Sequence, residues 1–395
     1  MSITPQMTTW QTRVLHSQAR IPEGYRSLAT PVYRGSTTLF PAASSVTDEW
    51  DQERVGYTYG LYGTPTALEL AARICELESG RHTMLAPGGQ SAISLIDFAL
   101  LDAGDHILVP QSVYGPNRSL TTSLLSRFGV NATFYDPCVG REIAELFTAK
   151  TRLVWTESPG SITMEVQDLP AIAEVAHARN ALVVLDNTWS AGVLFDAFAH
   201  GADVSMQAIT KYVGGHSDLL LGSITVRDPD IYRLLGDARQ VIGAAVSPDD
   251  CSLALRGLQT LAVRLAAIEA SALEIARWLA RRPEVERVLH PALPSCPGHE
   301  FYTRDFLGSS GVFSIVLQTG TTRDAVRSFV DALQLFEIGY SWGGTRSLAV
   351  AYTFGAASWR PSYDHRLVRL SIGLETAADL IADLEQGLTK TILHV

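Results

Sequence analysis

Between about residues 64 and 245, short apolar runs alternate with longer segments whose apolar positions recur every three or four residues. The runs Ile107–Pro110, Ala132–Tyr135, Leu153–Thr156, Leu182–Asp186, Val204–Ile209 and Ser223–Val226 have the length and β-branched character of buried strands. The segments Pro65–Glu78, Ser91–Leu101, Asn117–Phe128, Ile143–Phe147 and Ala171–Asn180 predict helices. Asp168 and Pro170, just ahead of the last of these, supply a cap and a first-turn proline. Strands and helices in alternation predict an α/β layer around a mostly parallel sheet.

A longer helical pattern follows. Ser247 reads as N-cap, Pro248 as first turn, and Asp249 and Asp250 suit the positive end of the helix. Its apolar face runs from Leu253 to Leu279, longer than a typical globular helix, which predicts a bend near Gly257. Beyond it, strands Arg287–His290, Val312–Gln318 and Leu367–Ile372, with helices Arg323–Leu333 and Ala377–Leu388, predict a smaller α+β unit. Residues 1–62 are rich in Thr, Ser, Tyr and Pro with weak periodicity and read as an extended arm. The expected organisation is therefore an arm (1–62), a large domain (63–258) and a C-terminal domain (259–395).

Composition narrows the partners. Hydrophobic residues make up 46% of the 395 and charged residues 18%, an ordinary globular balance with a sizeable core. The formal net charge of −10 argues against nucleic acid or an anionic membrane, because both need a basic face. Four scattered cysteines without a Cys-x-x-Cys pair fit neither a disulfide scaffold nor a metal cluster. No secretory leader and no apolar run of membrane-spanning length is visible, so a cytoplasmic protein is expected.

The chemistry concentrates in a few places. Val183-Val184-Leu185-Asp186 puts an acid at the carboxyl end of an apolar strand, the edge where open α/β sheets bind ligands. Lys211 follows 25 residues later among small residues, in Thr210-Lys211-Tyr212-Val213-Gly214-Gly215. A lysine amine that condenses with an aldehyde, and an acid that keeps a pyridine nitrogen protonated, are what pyridoxal 5′-phosphate requires. Leu85-Ala86-Pro87-Gly88-Gly89-Gln90-Ser91 is a strand running through two glycines into a helix, where backbone amides and the helix dipole hold phosphate. It is not the Gly-x-Gly-x-x-Gly of dinucleotide sites. Tyr114, before Gly115-Pro116, is placed to stack on a ring, and Arg369, alternating with apolar neighbours, suits a carboxylate. Taken singly, each has a plain structural reading: a strand-to-helix turn, a packing tyrosine, a capping aspartate, an internal ion pair. Their order supplies a whole cofactor site.

With these residues in view, the sequence resembles the Cys/Met-metabolism family of pyridoxal phosphate enzymes over about Thr30 to Leu388. The resemblance rests on Glu157-Ser-Pro-Gly-Ser-Ile-Thr-Met-Glu165, Asp186-Asn-Thr-Trp189, Thr210-Lys-Tyr212, Gly215-His-Ser-Asp218, Gly308-Ser-Ser-Gly311 and Tyr340-Ser-Trp-Gly-Gly344. It implies an aspartate aminotransferase-like (type I) fold, with a mostly parallel seven-stranded sheet and a smaller α+β domain. It implies that Lys211 carries the cofactor, Asp186 binds its ring nitrogen and Tyr114 stacks on the ring. Gly88, Gly89 and Gln90, with the Thr210 hydroxyl, would hold the phosphate. Arg369 and the Ser341 backbone would take the substrate carboxylate. Tyr59 would enter a neighbouring subunit's site as a catalytic, cofactor- and substrate-contacting residue of a homotetramer. Trp342 is similar to the tryptophan of β-lyases, which cleave the Cβ–S bond of cystathionine and related thioethers. Relatives acting at the γ-carbon usually carry a smaller residue there; γ-lyase, γ-synthase and racemase chemistry are the alternatives within the family. Metal ligands are not expected. Two positions depart from the family pattern: Leu61 stands where an arginine is common, and Ala208 where a serine is.

Overall fold

The computed structural model describes residues 9–15, 27–354 and 358–391. Part of the expected arm, residues 1–8 and 16–26, lies outside them. Seven strands form the large sheet: β1 (His82–Ala86), β2 (His106–Pro110), β3 (Asn131–Tyr135), β4 (Thr151–Glu157), β5 (Leu182–Asp186), β6 (Val204–Ala208) and β7 (Gly222–Val226). Their order is β1-β7-β6-β5-β4-β2-β3. Only β7 runs antiparallel to its neighbours, β1 and β6; the pairs β2–β3, β2–β4, β4–β5 and β5–β6 are parallel.

Strands β2 (from Ile107) and β5 (up to Leu185) and the 153–155 stretch of β4 are continuous apolar runs because both faces of the sheet are covered there, whereas β6 and β7 mix apolar residues with Ser205, Gln207, Ser223 and Thr225. Leu153 and Trp155 of β4 join one core with Val184 and Met206, while Val154 points the other way with Val183, Leu185 and Leu108. Helices α1 (Pro65–Leu77), α2 (Gly89–Leu100), α3 (Leu169–His177) and α4 (Pro229–Ile242) pack around this sheet. The alternation of the sequence thus becomes the predicted α/β layer, with the carboxyl ends of β2, β4, β5 and β6 opening on one edge.

Three expectations are adjusted. The Asn117–Phe128 helix is a short turn, Gly115–Ser119, that widens into a π-helical segment at Leu120–Leu125. Asp168 precedes α3 but makes no side-chain cap; its carboxylate takes the Arg304 guanidinium at 2.8 Å instead. The carboxylate is thus engaged by a guanidinium and not by the helix amides. The long helix is two helices, α5 (Pro248–Leu258) and α6 (Leu261–Leu279), bent by 62°. Ser247 does cap α5, accepting from the Asp250 N–H at 3.3 Å. A Cβ on Gly257 would sit 2.3 Å from the Val213 carbonyl, so only glycine lets α5 press on the backbone just after Lys211. No single helix among the described residues is long and apolar enough to cross a membrane.

The five-stranded second sheet has the order β10-β11-β12-β9-β8, from β8 (Val285–Leu289), β9 (Val312–Leu317), β10 (Glu337–Ile338), β11 (Leu348–Tyr352) and β12 (Leu367–Ser371). Helices α6, α7 (Arg323–Ala332) and α8 (Ala377–Thr391) bury its apolar face around Phe313, Phe329 and Leu370. Residues 27–47 are largely exposed, with Leu39 at 90%. From Trp50 the chain turns back on its own body: Trp50 is buried against Gly236 and donates to Asp237 at 2.8 Å.

Candidate active site

The carboxyl edge of the large sheet and the small sheet enclose a cavity of about 680 Å³. Asp186, Lys211, Tyr114, Gly88, Gly89, Gln90, Thr210, Ser341, Trp342 and Arg369 all line it. Every candidate from one chain except Tyr59 therefore converges on a single space. Tyr59 lies outside the lining, 45% exposed, with its ring edge-on to Tyr62. The Tyr62 hydroxyl donates to Asp48 at 2.7 Å, and Leu61 packs against the large-sheet core.

Asp186 ends β5. The Thr188 N–H and hydroxyl both donate to its Oδ1, at 3.0 and 2.5 Å, and Thr188 Oγ1 accepts from the Ala208 N–H at 2.9 Å. This chain ties the acid to the end of β6 and fixes its rotamer. Burial raises its pKa above the ordinary carboxylate value, while the Thr188 bonds and the charge of Lys211 pull it back down.

Lys211 lies in the turn after β6. Its Nζ donates to Ser341 Oγ at 2.5 Å and sits 5.3 Å from the centre of the Trp342 ring. Burial first, and then the Arg369 charge, lower its pKa to about 8, against the opposing pull of Asp186. A neutral amine, the form that can act as nucleophile or base, is therefore accessible near neutral pH. Of the chain's three lysines, Lys150 and Lys390 are exposed.

Arg369 reaches in from β12. Its Nη2 donates to the Ser341 carbonyl at 3.1 Å, leaving most of its five N–H donors for other acceptors. Ser341 adopts a left-handed φ of 76°, which lets one residue face Lys211 with its hydroxyl and Arg369 with its carbonyl.

The glycine turn fits an anion. Helix α2 begins at Gly89, and a Cβ there would lie 2.7 Å from the Ala208 methyl, so the backbone approaches the cavity where a side chain has no room. Gln90 Oε1 is buried with no hydrogen-bond partner, although its Nε2 donates to the Pro116 carbonyl at 3.3 Å. Thr210 Oγ1 accepts from the Leu221 N–H at 3.1 Å at the same end. An acid, a lysine of lowered pKa and an anion-binding helix start along one cavity form a donor set suited to pyridoxal 5′-phosphate.

The family described as "Cys/Met metabolism PLP-dependent enzyme" matches residues 11–389. The chain belongs to this family. It is 45% identical over 361 residues to a putative cystathionine β-lyase of Rhizobium johnstonii, covering 90% of each chain. It is 42% identical over 341 residues to the cystathionine β-lyase MetC of Escherichia coli, covering 85% of this chain and 86% of the relative. The crystal structure of metB from Corynebacterium glutamicum superposes with a TM-score of 0.89 at 30% identity, covering 98% of this chain and all of the other. The chain is thus a pyridoxal phosphate-dependent enzyme with the type I fold of its family.

Several lining residues had no role assigned from sequence: Glu157, Thr188, Trp189, Tyr340 and Tyr352. Glu157 carries the same signal as Asp186, an acid closing an apolar strand, and the two are direct partners in the β4–β5 register. Tyr352 lies on β11, whose pattern was not read as a strand, and the Arg369 guanidinium sits 5.4 Å from its ring centre.

Proposed function

We propose that this chain is a carbon–sulfur β-lyase that cleaves L-cystathionine and related cysteine S-conjugates to a thiol, pyruvate and ammonia. The observation that carries this reading is the convergence of Lys211, Asp186 and Arg369 on one cavity. The 42–45% identity to the two relatives bearing that name supports it.

Bound there, pyridoxal 5′-phosphate supplies an aldehyde for the substrate amine and a ring that takes up the electron pair left at Cα. Gly88, Gly89, Gln90 and Thr210 hold its phosphate, Tyr114 stacks on its ring, and Asp186 keeps its nitrogen protonated. Arg369 takes the substrate carboxylate with its planar fork. Lys211 Nζ, neutral above about pH 8, accepts the Cα proton and returns a proton to the departing sulfur. Ser341 Oγ, already at hydrogen-bond distance, steadies that amine between the two transfers. Trp342, beside the amine, narrows the space beyond Cβ and favours β- over γ-chemistry.

In the assembly we infer a homotetramer with shared sites, in which Tyr59 reaches a neighbour's cavity. Residues 63–258 form the cofactor-binding domain, 259–395 the C-terminal domain and 1–62 the arm. The acidic chain acts in the cytoplasm on a small amino acid, with neither nucleic acid nor membrane as partner. Homocysteine from cystathionine places it in methionine biosynthesis.

The test is product analysis with L-cystathionine and the purified yellow protein. Pyruvate and homocysteine in equal amounts are expected. α-Ketobutyrate with cysteine would assign a γ-lyase instead, and recovery of racemised substrate a racemase.

A further inference from the structure

A second carboxyl, this one buried, stands at the same sheet edge, and the mechanism above does not use it. Glu157 closes β4 directly beside Asp186, its partner in the parallel register. It is 8% exposed and lines the same cavity. Its Oε2 accepts the Tyr114 backbone N–H at 2.6 Å, a short bond for an amide donor. Ser161 stands close enough to pull the Glu157 pKa down. Tyr114 is the N-cap of the short Gly115–Ser119 turn, whose cap hydrogen bond no side chain supplies. The Glu157 bond therefore anchors the Tyr114 backbone on the cavity side.

We propose that Glu157 is a positioning residue for Tyr114, and that it performs this task as a neutral acid so that Asp186 alone carries negative charge toward the cofactor ring. This rests on the functional reading above, in which Tyr114 stacks on the ring. Two neighbouring carboxylates, one buried and one half-buried, repel, and the pair relieves this by ionising only one. Asp186 is the better anion: two Thr188 donors serve it and the Lys211 charge faces it. Burial and the Asp186 charge both push the Glu157 pKa well above the ordinary carboxylate value, against the downward pull of Tyr114 and Ser161. The other charged or titratable groups lining the space are Tyr114, Tyr340 and Tyr352, with Lys211 and Arg369.

The experiment compares wild-type, E157Q and E157A holoenzymes by two readouts that do not depend on turnover. One is the pH titration of the visible cofactor band; the other is the rate of cofactor release into an excess of apo-acceptor. Glutamine is neutral and its oxygen still accepts the Tyr114 N–H. E157Q should keep the wild-type midpoint to within about 0.3 unit and release cofactor within about twofold of wild type. E157A removes the acceptor and should release cofactor about fivefold faster, the worth of one ordinary hydrogen bond. A midpoint in E157Q displaced by a full unit would show that Glu157 is charged in the wild type and overturn the proposal. Release from E157A at the wild-type rate would also overturn it, by showing that Tyr114 is held without this bond. Should E157A not fold, the E157Q midpoint and release rate still decide. Wild-type protein that yields α-ketobutyrate would change the reaction assigned above and leave these two readouts standing.

Discussion

The two walls of the cavity are built differently. The large-sheet wall is regular: Glu157, Asp186 and the Lys211 turn sit at consecutive ends of neighbouring strands β4, β5 and β6, and strand geometry places them. The small-sheet wall is irregular: Arg369 lies mid-strand on β12, but the Ser341-Trp342 segment it contacts is a loop held at a left-handed φ. Charge divides along the same line. The large-sheet wall holds a buried acid, Glu157, and a half-buried one, Asp186, both with raised pKa values, while the small-sheet wall supplies a buried guanidinium whose charge lowers the pKa of Lys211. A lysine between the two is pulled both ways and ends near 8. In the proposed function, one wall tunes chemistry at the cofactor and the other presents a cation to substrate.

This division predicts separable losses. The R369A variant should keep the visible cofactor band, because the large-sheet wall is intact. Its kcat/KM for cystathionine should fall about 10- to 150-fold, mostly through KM, from the lost charge-assisted bonds to the carboxylate. Loss of the cofactor band in R369A would erase the distinction between the walls. A smaller effect tests how the walls are joined. G257A sets a methyl 2.3 Å from the Val213 carbonyl and 2.4 Å from the Gly214 carbonyl, so either α5 or the Lys211 turn must shift. A destabilisation of about 1–3 kcal/mol is expected in denaturant unfolding, with a displaced cofactor band. An unchanged band at that cost would place the strain in α5 alone.

The same contrast explains what could be read from the chain. Strands β4 and β5 are buried on both faces over residues 153–155 and 183–185, so these runs are continuously apolar and the acids closing β5 and β4 stand out. Strand β11 (Leu348–Tyr352) has partly exposed ends and β10 only two residues, so neither stands out in the sequence. Helix α4 buries few apolar residues, Ile231 and Leu235 among them, and fills part of its inward face with Arg239, which donates to the Ala244, Tyr62 and Leu61 carbonyls. The glycine turn, Asp186, Lys211 and Arg369 were legible because each chemistry is tied to a strand end or a strand face. The Ser341 hydroxyl beside Lys211 was not, because it depends on a backbone angle that periodicity does not encode. Glu157 went without a role although its signal matched that of Asp186, since one acid sufficed for the ring nitrogen.

The most direct test of the account is where the cofactor attaches. Borohydride reduction of the yellow holoenzyme followed by peptide mass mapping should place the cofactor mass on Lys211, with Lys150 and Lys390 unmodified. A reduced adduct on either exposed lysine, or none on the Lys211 peptide, would contradict the assignment.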